Sequence, residues 1–237
     1  MRNLLRAEWY KLIHDKIFAI TLAACVLFNA LIFSGSPILS CSGSEALQQC
    51  LKKEIMSAMI VCIYGGTFLG SDFADRTMYH GLTTGQSRSV VFRAKIIVFS
   101  VAADLMLFLF PFLLAVICTI RNGWGTAVST GLVLHLFGIV FALLFLGFAI
   151  SAISLPAAVC FRDVGRTIGI PIVLYFIVII LLNSTFSPVL SRLFPISAVS
   201  LVTDGTISAP YGIELGLVWF ALLATASTLI FRRVELR

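Results

Sequence analysis

Few residues in this chain could do chemistry, and they fall in two places. One is a polar island, residues 70–95 (GSDFADRTMYHGLTTGQSRSVVFRAK), with two acids, three arginines, one lysine and several hydroxyl side chains between apolar runs. The other is Asp104, which stands inside the apolar run KIIVFSVAADLMLFLFPFLLAVICTI. An acid within hydrocarbon is costly, and it marks either a transport pathway or a bond to a neighbouring hydroxyl. Asp104 lies about 14 Å along a helix from Lys95, at about 1.5 Å per residue. His135, on the next apolar run, lies about 10 Å below that helix's outer end by the same rise. In a core of about 30 Å the two differ in depth by roughly 6 Å, so they pair directly or through water if their faces meet.

Motifs for catalysis are missing from the sequence. It has no GxxxxGK[ST] phosphate loop, no HExxH and no GxSxG, so neither an ATP site, a zinc hydrolase nor a nucleophile elbow is expected. The spacing of cysteines and histidines suggests no metal site. The expectation is a chain that is not an enzyme and binds no cofactor of its own. Cys41 and Cys50 share one loop, where an oxidising exterior would permit a disulfide; two separate thiols are the alternative.

The elements that must carry these residues follow from composition. Of the 237 residues, 59% are hydrophobic and 12% are charged, about half the charge of a soluble domain. A helix needs about 20 apolar residues to cross a bilayer. Six runs qualify by hydropathy: 17–33, 54–70, 95–120, 129–151, 167–183 and 213–231. Alternating strand patterns are absent, so the expected fold is an all-α polytopic membrane protein forming one transmembrane domain over residues 1–237. The first run lacks a small-x-small cleavage site and reads as a span rather than a signal peptide.

Basic residues orient the spans. With six spans both termini share one side, which holds Arg2, Arg6, Lys11, Lys16, Arg76, Arg88, Arg93, Lys95, Arg162, Arg166, Arg232, Arg233 and Arg237. The other side has Lys52, Lys53, Arg121 and Arg192. The bias places both termini in the cytoplasm of a plasma membrane. It also accounts for the net charge of +6 without nucleic acid as a partner.

Three segments are not spans. In residues 1–16, Leu5, Trp9, Leu12 and Ile13 share a helical face with Leu4 at its margin, which predicts an amphipathic helix lying in the lipid interface. Glu8 sits near that apolar face and needs a donor from a neighbouring segment or a partner. Residues 184–212, moderately apolar with three prolines, predict one or two short external helices, re-entrant or capping the spans. The loop 71–94 is long for a turn. Asp72 or Ser71 would start a short helix there and Gly81 or Gly85 would stop it, giving a docking surface for a cytoplasmic partner. Asn29 and Asn183 read as contacts between helices, and Gly66/Gly70, Gly165/Gly169 and Gly212/Gly216 as close-packing pairs.

The island resembles the corresponding loop in permease subunits of ABC-2-type ABC transporters. The resemblance rests on Asp75, Arg76, Thr77, Leu82, Thr83, Thr84, Ser87, Arg88 and Lys95, with Gly85-Gln86 where the family often has Pro. It implies half of a pore completed by a second permease copy or a sister chain. It further implies that ATP and Mg lie on a separate ATPase subunit docked on a coupling helix, with Asp72, Asp75, Arg76, Thr77, Leu82, Thr83, Thr84 and Arg88 as coupling residues. Small bacterial members of the family look like exporters of amphipathic peptides, including antimicrobial and toxin peptides. The competing expectations are an ion-coupled secondary carrier using Asp104 and, less well supported, a membrane enzyme.

Overall fold

Six helices are long and apolar enough to cross a membrane: Lys16–Ser34, Ser57–Ala74, Arg88–Asn122, Leu134–Phe161, Val164–Leu182 and Ala209–Arg233. The structure is a computed structural model that describes residues 2–51, 55–75, 87–125, 130–182 and 187–233, and no strand occurs among them. The chain is an all-α polytopic membrane protein, as its apolar runs require.

The fourth span overruns its expected end by the most, running on from 151 to Phe161, and the second and third overrun where charge marks their expected ends. The second span continues past residue 70 through Ser71–Ala74, and the third begins at Arg88 rather than at 95. The loop between them therefore shrinks from both sides. Hydropathy treats Asp72 and Lys95 as stops, but the two side chains neutralise one another across the helices. At about 1.5 Å per residue the third span is about 52 Å long, well beyond a membrane core of about 30 Å, so it tilts or overhangs. It ends at Gly123, whose φ of 79° lies where only glycine is comfortable.

The fourth span is broken. Ala152 and Ile153 leave the helix between Thr130–Ser151 and Ser154–Phe161. Pro156 has no N–H to give the carbonyl of Ala152 and its ring crowds that group. Leu155 N–H donates to Ala152 O instead, at 3.0 Å. Near the break, buried Tyr175 from the fifth span donates its hydroxyl to Ile150 O at 2.5 Å. Tyr175→Phe is expected to lower stability by about 0.5–1.5 kcal/mol with the fold intact, as read by unfolding in mixed micelles.

Two of the three glycine pairs make the expected close contacts. A Cβ on Gly66 would stand 2.1 Å from Ile168 Cγ1, and one on Gly70 3.1 Å from Val164 Cα, both on the fifth span. Gly212 and Gly216 meet the fourth span as tightly, whereas Gly169 has nothing within 4 Å. Asn29 donates to Ser57 Oγ at 3.0 Å and joins the first two spans; Asn183 lies outside the described residues.

At the end of the bundle away from the N-terminus, two short helices, Ser187–Leu193 and Pro195–Thr203, occupy the segment before the sixth span. Ile196, Val199 and Val202 of the second are buried in the core. Trp219 Nε1 donates to Leu193 O at 2.9 Å. A further helix, Gly43–Leu51, was not expected. It packs on the third span, with Leu47 and Leu51 buried, and Ser42 N–H donates to Glu45 Oε2 at 3.1 Å. That helix turns Cys50 into an apolar cluster with Phe33, Ile38, Phe110 and Cys118. Cys41 instead accepts from Gln49 Nε2 at 3.7 Å. Both cysteines are thiols in the structure, which is the second of the two alternatives their shared loop left open.

Candidate functional site

The site is built where the N-terminal helix crosses the ends of the second and third spans. The helix runs Arg2–His14. Asp15 then accepts from Ile17 N–H at 2.9 Å and starts the first span. The packed stripe of the N-terminal helix is Leu4, Glu8 and Leu12, the i, i+4, i+8 row of one helix face, with Leu5 beside it. Trp9 and Ile13 are exposed on the flank. The apolar face expected from sequence is thus split: Leu5 and Leu12 face protein, and Trp9 and Ile13 face away.

Glu8 falls in the middle of that packed stripe, and its donor is Lys95. Lys95 Nζ lies 3.0 Å from Glu8 Oε2 and also binds Asp72 Oδ2. Lys11 reaches Asp72 Oδ1 at 2.6 Å. The side chains of Lys95 and Asp72 are 3% and 5% exposed, against 18% for Glu8 and 47% for Lys11. Phe68 lies beneath, its ring 4.7 Å from Lys95 Nζ and 5.7 Å from Lys11 Nζ, close enough for cation–π attraction. Among the described residues, two acids and two lysines cancel.

Magnitudes decide what this cluster is for. At an effective dielectric of about 20, unit charges about 3 Å apart attract by about 5–6 kcal/mol. Desolvating each ion costs several kcal/mol. The buried pairs therefore come close to breaking even, and their effect is to fix which helices meet and in what register. The outer Lys11 pair is worth about 0–1 kcal/mol.

An aromatic layer and a π turn complete the site. Phe231 of the sixth span stacks on Phe92, with centroids 4.9 Å apart, and meets Phe73 edge-on at 5.8 Å. The cluster thereby reaches the sixth span as well. The second span contains a π turn at Gly66–Gly70, immediately before Asp72. The extra residue per turn changes which face the following side chains occupy, and such turns concentrate at functional sites.

The expected coupling residues divide accordingly. Arg76, Thr77, Leu82, Thr83 and Thr84 lie outside the described residues. Asp75 is exposed at the end of the second span, its N–H bonded to Ser71 O at 2.7 Å, and Arg88 is exposed at the start of the third. Asp72 is corrected: it starts no separate short helix but lies buried in the continuation of the second span, where Lys95 and Lys11 hold it. Sequence reading missed Lys11 and Lys95 as its partners. The signal was present in Glu8, an acid on an apolar face, and in Lys95, a lysine followed by 25 residues with a single acid.

The Asp104–His135 pair does not form. Asp104 packs against Gly147, where a Cβ would stand 2.2 Å from Oδ1. Gly147 is twelve residues beyond His135, about 18 Å along the helix, and the His135 side chain is exposed. Both Asp104 oxygens are buried without a hydrogen-bond partner among the described residues. No family model matches the chain, and no curated protein matches it in sequence.

Proposed function

We propose that this chain is the membrane subunit of an ATP-driven exporter, a permease of the ABC-2 type working in a bacterial plasma membrane with its termini in the cytoplasm. The observation that carries the reading is the neutral cluster of Glu8, Lys95, Asp72 and Lys11. It ties the N-terminal helix to the two span ends that flank residues 76–86. A partner pressing on that loop moves three helices together, and the Phe73–Phe92–Phe231 layer passes the motion to the sixth span. The partner is a separate ATPase carrying ATP and Mg, and a second permease copy completes the pathway. The substrates are amphipathic or hydrophobic peptides, in keeping with a bundle whose polar groups are few.

The test is affinity capture of the tagged chain from its native membrane, followed by an ATPase assay. An ATPase subunit is expected to accompany the wild type, and a charge swap (Asp75→Arg with Arg76→Asp) to reduce its recovery or its substrate-stimulated hydrolysis at least fivefold. Recovery of the chain without any ATPase sinks the reading. The second reading, an ion-coupled carrier, draws on the lack of a donor at Asp104. It requires ion-driven uptake in vesicles with no nucleotide, and loss of that uptake in Asp104→Asn.

A further inference from the structure

Asp104 takes no part in the charge cluster. Lys95, the nearest cation on its own helix, is about 14 Å away along the axis and held by Glu8 and Asp72. Asp104 lines a groove of about 410 Å³ on the outward side of the third span, together with Val101, Leu105, Phe108, Phe112 and Leu144. That volume suits a small organic ligand. Val101 and Leu105 are exposed, so the groove opens toward the lipid. The residue is 5% exposed, and both its oxygens are buried at the base of the groove, against Gly147, without a donor among the described residues. It is the one ionisable residue on an otherwise apolar lining.

We propose that this groove binds a lipophilic cation entering from the lipid, with its charge on Asp104 and its apolar body against Phe108, Phe112 and Leu144. A neutral apolar guest would offer the acid no counter-charge. A divalent metal ion needs several oxygen ligands, and no group of three His, Cys, Asp or Glu side chains able to hold one occurs among the described residues. A weakly hydrated ammonium, guanidinium or phosphonium needs only one counter-charge and gains from aromatic walls. Phe108 and Phe112 supply such walls, their centroids 6.4 Å apart.

The inference is independent of the ATPase, because binding is read without nucleotide. The membrane protein as it purifies, in lipid nanodiscs, is titrated with radiolabelled tetraphenylphosphonium and separately with neutral triphenylphosphine oxide. Saturable binding of the cation is expected, at least tenfold weaker in Asp104→Asn, with the neutral compound unaffected. Leu105→Trp fills the groove at an exposed position, leaves the acid in place, and should weaken the cation at least tenfold. Three results would overturn the proposal: no saturable binding to the wild type, equal binding by Asp104→Asn, or equal loss of the neutral compound. If Asp104→Asn does not fold, Leu105→Trp decides, and undiminished cation binding in it refutes the site.

Discussion

Lys95→Met is expected to lose about 3–5 kcal/mol of stability. The lysine is buried between two carboxylates, so removing it leaves two like charges close together, with half-exposed Lys11 on one of them. The cost comes from stranding Glu8 and Asp72 rather than from losing an attraction, because the intact pairs come close to break-even. Adding Asp72→Leu to Lys95→Met should therefore restore most of the loss, since an apolar pair needs no counter-charge. Lys11→Ala, on the same carboxylate but half in solvent, should cost about 0–1 kcal/mol. Unfolding in mixed micelles of the wild type, Lys95→Met, Asp72→Leu and their double variant gives the whole cycle, with Lys11→Ala beside it. A Lys95→Met protein as stable as the wild type would mean that the cluster does not form. If the double variant folds well but no longer responds to an ATPase partner, the cluster serves coupling rather than stability.

The same cluster shows what the sequence could and could not reveal. Six apolar runs place six spans to within a few residues, because composition alone decides burial in lipid. The exceptions are the cluster's two flanks and the fourth span, which runs on past 151 to Phe161. Asp72 and Lys95 are 23 residues apart and Glu8 and Lys95 are 87 apart, and a one-dimensional hydropathy reading cannot pair charges over such distances. The N-terminal helix was legible as amphipathic, but its packed stripe was not. Centring that stripe on Trp9 excludes Glu8, and only Lys95 makes Glu8 acceptable inside. Depth itself was not legible for Asp104 and His135. Asp104 stands beside Gly147, about 18 Å along the fourth span from His135 against an expected difference of roughly 6 Å, because the third span runs on past Lys95 to Arg88 and Lys95 does not mark the membrane face. The helix at 43–51 was legible in principle, since Ser42 and Glu45 stand at capping-box spacing; a search for apolar runs passes over a helix that short.

Gly216→Ala should cost about 1–3 kcal/mol or more, although it adds one methyl group. The sixth span crosses the fourth so closely at this point that a Cβ would stand 2.5 Å from the Phe145 carbonyl carbon, 2.6 Å from its oxygen and 2.8 Å from Leu146 N. Carbon contacts settle near 3.5–4.0 Å, so the helices must part by about 1 Å. The obstacle is backbone, which cannot rotate away as a side chain can. At Gly212 one methyl of Val202 stands at 2.8 Å and can move, so Gly212→Ala should cost less. Gly169→Ala is the control. Nothing lies within 4 Å of its added carbon, and alanine improves a helix interior by up to about 1 kcal/mol. Equal stability of Gly216→Ala and Gly169→Ala would refute the close crossing. The consequence reaches beyond stability, because Phe231 at the far end of the sixth span stacks on Phe92 beside the charge cluster. Parting the helices at Gly216 should loosen that stack, and Trp substituted at exposed Leu229 would report it as a change in fluorescence.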